Sequence, residues 1–377
     1  MLGGAVVSGL VDTGAILDAA ITLGIDRAGV CTVEPFEETR LELEQRKRSG
    51  LSDRLGFTFT DPGRSTDIRR TFPWAERLVV GAFAYVPEAG APGSASPGTG
   101  RIARFSTEDH YQPLRNALMT LAERMRDHGY LAEVLVDDNR LVDRAAAVRA
   151  GVGWWGKNTM VLANRFGPWI LLGSIVTSAQ LEVTAPEERS CGTCSACLPA
   201  CPTGALIAPG VLDARRCIAA LLQQRGSLPV ELREAIDDRI YGCDDCLDAC
   251  PPGHRLLEDS TDRRGREELL ALLALSDARL DAEFDRFYVP GRKMRFLRRN
   301  LLVALGNSGD ESAVGVLDEY ARGLDPLLAE HAIWALGRIG GPAARAALEA
   351  LDASHLDADG SGALQSALTR FDAPMGK

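Results

Sequence analysis

Three things are scarce in this 377-residue chain: long apolar runs, an excess of positive charge, and histidine. No stretch approaches eighteen uninterrupted apolar residues, so no transmembrane helix is expected. The apolar start, MLGGAVVSGLVDTGAIL, has no basic residue ahead of it and is broken by Asp12, with Asp18 just beyond. It reads as the approach to a first helix and not as a signal peptide. A cytoplasmic location, where thiols stay reduced, is the expectation. Lys and Arg number 42 against 52 Asp and Glu, a formal net charge of −10. That deficit argues against a general nucleic-acid coat, which needs positive charge for phosphates, and leaves room only for a local basic patch. The five histidines (His110, His128, His254, His331 and His355) include no pair at metal-ligand spacing and read as structural or solvated.

What is present is an ordinary globular composition, 46% hydrophobic and 25% charged, of a length suited to two or three domains. Helical spacing of Ile16, Leu17, Ala20, Ile21 and Leu23 predicts a first helix, with Thr13 as its cap and Gly24 as its stop. Strands are expected at AGVCTV, at LVVGAFAYV (78–86), at YLAEVLV and at WILLGSIV (169–176), with a helix from about Pro113 to His128. PEAGAPGSASPGTG (87–100), rich in Gly, Pro and Ser, predicts a surface loop. Strands and helices alternate without a regular βαβ rhythm, which suggests an α+β domain over 1–185. A cysteine-rich module follows at 186–255. A Leu-, Ala- and Arg-rich helical region fills 256–377. There LLVALGNSGDESAVGVL (301–317) aligns with AIWALGRIGGPAARAAL (332–348) at an offset of 31 residues. Leu305 pairs with Leu336, Gly306 with Gly337 and Leu317 with Leu348, as in a HEAT-like helix-pair repeat whose glycines end the first helix.

Cysteine is not scarce. Eight of the nine lie between Cys191 and Cys250. CGTCSACLPACP (191–202) has the C-x2-C-x2-C-x3-C-P spacing of bacterial iron–sulfur ligation, in which the fourth cysteine serves a second cluster. CDDCLDACP (243–251) supplies three more, and Cys217 completes the count. The spacing therefore predicts two [4Fe–4S] clusters, one on Cys191, Cys194, Cys197 and Cys250, the other on Cys201, Cys217, Cys243 and Cys246. Two zinc sites would also take four ligands each, but zinc ribbons favour paired C-x2-C knuckles over a three-plus-one run. Cys31, alone in an apolar strand, reads as core.

The stretch VDDNRLVDRAAAVRAGVGWWGKNTMVL, then FGPWILLGSIV, the cysteine run, DARRCI and RIYGCDDCLDACP resembles the epoxyqueuosine reductases. The likeness extends to IARF (102–105) and to RFLRRNLLVALGN (295–307). It implies an oxidoreductase that reduces epoxyqueuosine to queuosine at the wobble position of tRNA. The family's architecture would give a nitroreductase-like cobalamin-binding domain, a ferredoxin-like module and a helical tail gripping the anticodon stem-loop. Its proton donor falls on Asp137. Electrons would run from an unidentified donor through the clusters to cobalamin, and a monomer is expected. A carboxylic acid partly buried beside a corrin can keep a raised pKa and protonate the departing oxygen.

The glycines of AGVGWWGKN (151, 153 and 156) fit a backbone turning against a large flat ligand, or equally a packed turn. Asp244 and Asp245, between two cluster cysteines, are candidates for a place near the corrin. GRKMRFLRRN carries Arg292, Lys293, Arg295, Arg298 and Arg299 and no acid, a candidate RNA-facing helix. The chain departs from the family where Asp138, Asn139 and Arg140 follow Asp137, so either carboxylate remains a candidate for the acid. It departs again at Asp109-His110-Tyr111, where the family has Asp-Tyr-His. Two rival readings keep part of this chemistry: a cobalamin-dependent reductase or dehalogenase of a small molecule, and an electron-transfer protein without a corrin.

Overall fold

The computed structural model describes residues 12–85, 97–258 and 265–372. They fall into two compact units, each discontinuous in sequence. One draws on 1–88, 108–215 and 245–260, the other on 89–107, 216–244 and 261–377. The units do not follow the three sequence modules, because the cysteine-rich segment 186–255 is divided between them. No helix among the described residues is long and apolar enough to cross a membrane.

The first unit is built on a four-stranded sheet in the order Arg27–Thr32, Arg77–Ala84, Ile170–Thr177, Ala132–Val136, with every neighbour antiparallel. Period-two alternation decides its faces. Leu78, Val80 and Ala82 join Leu135, Leu172 and Val176 in one core with Ala146 of the helix Asp143–Arg149. The opposite face receives the helix Tyr111–Asp127, which buries Leu114, Leu118, Leu121 and Met125 at helical spacing. Each such leucine contributes about 2 kcal/mol when fully buried. The first helix, Thr13–Thr22, is capped by Asp12 and not by Thr13: Asp12 accepts the Gly14 amide at 2.9 Å. The Thr13 hydroxyl instead accepts the Glu182 amide at 2.7 Å. Most of the expected surface loop 87–100 lies outside the described residues, but its end forms the strand Thr99–Ile102.

That strand belongs to the second unit, flanked by Arg239–Tyr241 in parallel and Arg266–Glu268 in antiparallel pairing. The helix Arg295–Ser308 packs on Pro326–Ile339, which packs in turn on Ala358–Asp372. The aligned segments thus become corresponding helices, but Gly306 and Gly337 do not end them. Both lie inside, where a β-carbon would sit 2.7 Å from the Ala335 Cα and 2.6 Å from the Ala367 Cβ respectively. The glycines let helix axes approach. The terminating residues are Gly309 and Gly340, both at positive φ.

Candidate functional site

In the first unit the cysteine run opens with a turn, the Cys194 amide donating to the Cys191 carbonyl at 2.9 Å. Cys197 begins the short helix Cys197–Ala200, which packs against Asp245–Asp248, the helix just ahead of Cys250. Cys250 is buried against Trp154 and Leu162, with Cys191 at the edge of that cluster. Burial pushes the Cys250 thiol up to about 11; the Gly253 amide opposes this, while Cys191, Cys197 and Cys194 add to it. Burial also raises Cys197, against its own backbone amide, with Cys191 and Cys194 adding and Lys157 opposing. Cys191, Cys194 and Cys197 thus lie close enough to Cys250 to act on it, and these four are the set expected for the first cluster. Among the described residues no group of three His, Cys, Asp or Glu side chains is arranged to hold a single metal ion. Four thiols are the donor type that a four-iron cubane takes.

Of the second expected set, Cys201 and Cys246 belong to the first unit and Cys217 and Cys243 to the second. The Cys201 sulfur accepts the Ala205 amide at 3.2 Å, and Cys217 precedes the helix Ile218–Leu222. Cys31 is buried as expected, its thiol raised to about 12 by burial against the pull of Arg149.

The AGVGWWGKN stretch forms a hairpin, Trp154–Trp155 paired with Val161–Leu162. Its glycines serve the turn and its immediate packing. A β-carbon on Gly153 would lie 2.3 Å from the Leu162 carbonyl oxygen, and one on Gly156 2.4 Å from the Asn158 Oδ1. The reading as a packed turn therefore accounts for them. What the sequence did not signal is the role of the hairpin tip. The Lys157 Nζ donates to the Gly192 and Cys194 carbonyls at 2.8 and 2.7 Å, and the Lys157 carbonyl accepts the Gly210 amide. Asn158, buried, reaches the Cys246 carbonyl at 3.5 Å. On the far side of Cys250, the Trp169 indole donates to the Gly253 carbonyl at 3.0 Å. Gly253 has no room for a side chain, since a β-carbon would be 2.7 Å from the Trp169 Nε1 and 2.8 Å from Pro168.

Asp137 follows the strand Ala132–Val136 with φ of 52°, a left-handed conformation that costs a non-glycine residue energy. Its side chain is solvent-accessible, yet enough protein surrounds it that desolvation raises its pKa. Asp143 and Asp138 add repulsion, while Arg115 and Arg144 oppose the rise. Asp138 goes the other way. Burial alone would raise it, but Arg140 outweighs that and holds its carboxyl below the usual range. The Arg140 guanidinium forks onto Asp138, Nε at 2.9 Å from Oδ1 and Nη2 at 2.6 Å from Oδ2. The two adjacent carboxyls thus have pKa values driven apart, Asp137 upward and Asp138 downward.

Asp244 accepts the Arg104 amide at 2.8 Å and its Nη1 at 3.3 Å, so its carboxylate is engaged by the IARF segment. Asp245 begins the helix Asp245–Asp248.

The basic segment needs correction. Arg298 and Arg299 are buried, not displayed. Arg298 donates to Asp277, to the Tyr320 hydroxyl and to the Leu273 and Leu275 carbonyls. Arg299 donates to the Gln224, Gly226, Leu221 and Leu222 carbonyls and to the Asn300 Oδ1. Both guanidiniums bind this unit to itself and have no face for RNA. Arg292 is exposed but pairs with Asp281, and Arg295 pairs with Asp325 at 2.5 Å. Lys293 is exposed, with no ionic partner among the described residues.

Residues 190–253 match the family of 4Fe-4S double cluster binding domains. The epoxyqueuosine reductase of Bacillus cereus is 34% identical over 343 residues, 87% of this chain and 89% of that protein. A crystal structure of epoxyqueuosine reductase with an epoxyqueuosine-modified tRNA-Tyr stem loop matches with a TM-score of 0.85 and 30% identity. The match covers 96% of this chain and 98% of that one. The epoxyqueuosine reductase of Bacillus subtilis, in a structure with its catalytic Asp loop swung out of the active site, matches with a TM-score of 0.82 and 28% identity. There the cover is 95% and 98%.

Proposed function

The chain belongs to the epoxyqueuosine reductase family, and from that premise we propose that it reduces epoxyqueuosine to queuosine in tRNA with Asp137 as the proton donor. Converting an epoxide to an alkene consumes two electrons and two protons and releases the oxygen as water. The observation that carries the acid assignment is the division of labour at 137–138: one carboxyl raised and accessible, its neighbour locked ionised on Arg140.

The 4Fe-4S double cluster domain supplies electrons one at a time. In our reading one cluster sits on Cys191, Cys194, Cys197 and Cys250 and the other on Cys201, Cys217, Cys243 and Cys246. Cobalamin, when bound, supplies a low-valent metal able to collect two such electrons for one substrate. The fit of this chain to a corrin rests on Asp137, whose carboxyl is open to solvent and yet desolvated by its surroundings. Asp245 remains a candidate for that neighbourhood, whereas Asp244 is held by Arg104. The protein's own tasks are to fix the thiols, keep Asp138 ionised and hold a proton at the Asp137 carboxyl for the departing oxygen. The nitroreductase-like core, the HEAT-like character of the tail, a monomer fed by a separate electron donor and a cytoplasmic location complete the proposal. The RNA-facing set shrinks to Arg292, Lys293 and Arg295, with Lys293 the member that has no ionic partner among the described residues.

Paired variants test the acid. Asp137→Asn should lower turnover by about 10²–10⁴ while iron content and cobalamin binding stay at wild-type levels. Asp138→Asn should retain turnover. The reverse ranking would transfer the role to Asp138.

A further inference from the structure

We infer that Lys157 is a positioning residue that raises the reduction potential of the cluster held by Cys191, Cys194, Cys197 and Cys250. The inference rests on the cluster assignment above and adds to it a residue that no cysteine spacing reveals. The ammonium lies 2.8 Å from the Gly192 carbonyl and 2.7 Å from the Cys194 carbonyl, which pins it on the loop between and beside the first two ligands. Its own backbone is anchored, because the Lys157 carbonyl accepts the Gly210 amide at 2.8 Å and Asn158 next to it is buried. The charge is therefore held in place by a rigid hairpin and does not swing freely in solvent.

Two physical effects act in the same direction. Reduction adds one electron to the cluster, breaks no bond and makes the site more negative by one charge. A fixed positive charge a few ångströms from the ligand loop favours that state. Carbonyl and amide point oppositely across a trans peptide plane. Carbonyls 192 and 194 turned to the ammonium therefore turn the Thr193 and Ser195 amides away from it. Neither amide has a partner among the described residues, which leaves both as donors for sulfur. Hydrogen bonds to cluster sulfur are one of the levers that set iron–sulfur potentials. Cys194 is the exposed member of its set, so this is also where solvent would otherwise dominate the local field.

The test is a dithionite titration of anaerobically reconstituted full-length protein, without cobalamin or RNA, followed by the electron paramagnetic resonance of the reduced clusters. In Lys157→Met, one of the two reduction steps should become about tenfold less favourable, a downward shift of about 59 mV for one electron, and the other step should stay in place. Lys157→Arg, which keeps charge and donors, should restore it. Lys157→Gln, which keeps donors alone, should fall between. Full iron and an unchanged potential in Lys157→Met would overturn the inference. Wild-type protein that shows no reducible cluster would overturn the assignment beneath it, and the two failures are told apart by the wild-type titration alone.

Discussion

Replacing Arg299 by methionine should cost the second unit about 3–5 kcal/mol, the scale set by several buried acceptors losing their donor at once. The estimate can be built from the contacts. Arg299 is 1% exposed and sits among Leu221, Leu222, Gln224 and Gly226. The Leu221 carbonyl also accepts the Gln224 amide, and the Leu222 carbonyl also accepts the Asn300 side chain at 2.9 Å. Those two acceptors keep a partner. The Gln224 and Gly226 carbonyls and the Asn300 Oδ1 lose the guanidinium at 3.0, 2.6 and 2.8 Å. Three orphaned acceptors at about 1–3 kcal/mol each, partly relieved by relaxation, give the same range. For a domain of this size that is a fall in Tm of roughly 10 °C. A thermal melt followed by circular dichroism reads it directly. Lysine should not rescue, because it cannot reproduce the planar fork. If Arg299→Met melts like wild type but binds the tRNA stem-loop more weakly, with the salt slope reduced by about 1, the side chain meets phosphate and its burial is wrong.

Three further outcomes follow from the site. Asp138→Asn removes one of the charges that raise Asp137, so the alkaline limb of kcat/KM should move to lower pH; an upward shift would contradict the pairing. Gly253→Ala forces a β-carbon to 2.7 Å from the Trp169 indole nitrogen. It should destabilise the fold by about 1–3 kcal/mol and lower iron occupancy, and full occupancy with unchanged stability would refute the tight fit. In the cluster-free protein burial pushes the Cys250 thiol from its ordinary 9.0 up to about 11. A thiol raised by folding supports the fold below pH 9 and withdraws that support as pH climbs toward 11. Because ligation needs the thiolate, reconstitution should become faster from pH 7 to 9, and a rate that falls over that span would count against the assignment.

Local pattern carried the sequence reading a long way where structure is local. Short apolar runs located all four strands of the first sheet, and cysteine spacing singled out Cys191, Cys194, Cys197 and Cys250 as one candidate set. It failed where the deciding partner is distant. Nothing near Arg298 and Arg299 announces burial, because the carbonyls they satisfy come from residues 221–226 and 273–275. A helix buried nearly all round also loses the polar stripe that would have exposed the error. Gly306 and Gly337 look like helix stops until Ala335 and Ala367 are seen pressing on them. Lys157 reads as a surface lysine until the hairpin folds it onto Gly192 and Cys194. The Arg140 fork on Asp138, which nothing in the sequence announces, is what favours Asp137 over Asp138 in the proposed assignment.

The central claim is the reaction, and nucleoside composition tests it most directly. Anaerobically reconstituted protein, supplied with cobalamin and a strong reductant, is incubated with tRNA containing epoxyqueuosine, and the digested nucleosides are separated and identified by mass. Loss of epoxyqueuosine matched by the appearance of queuosine is the predicted result. Intact epoxyqueuosine after incubation with protein shown to carry both clusters and cobalamin would contradict the account.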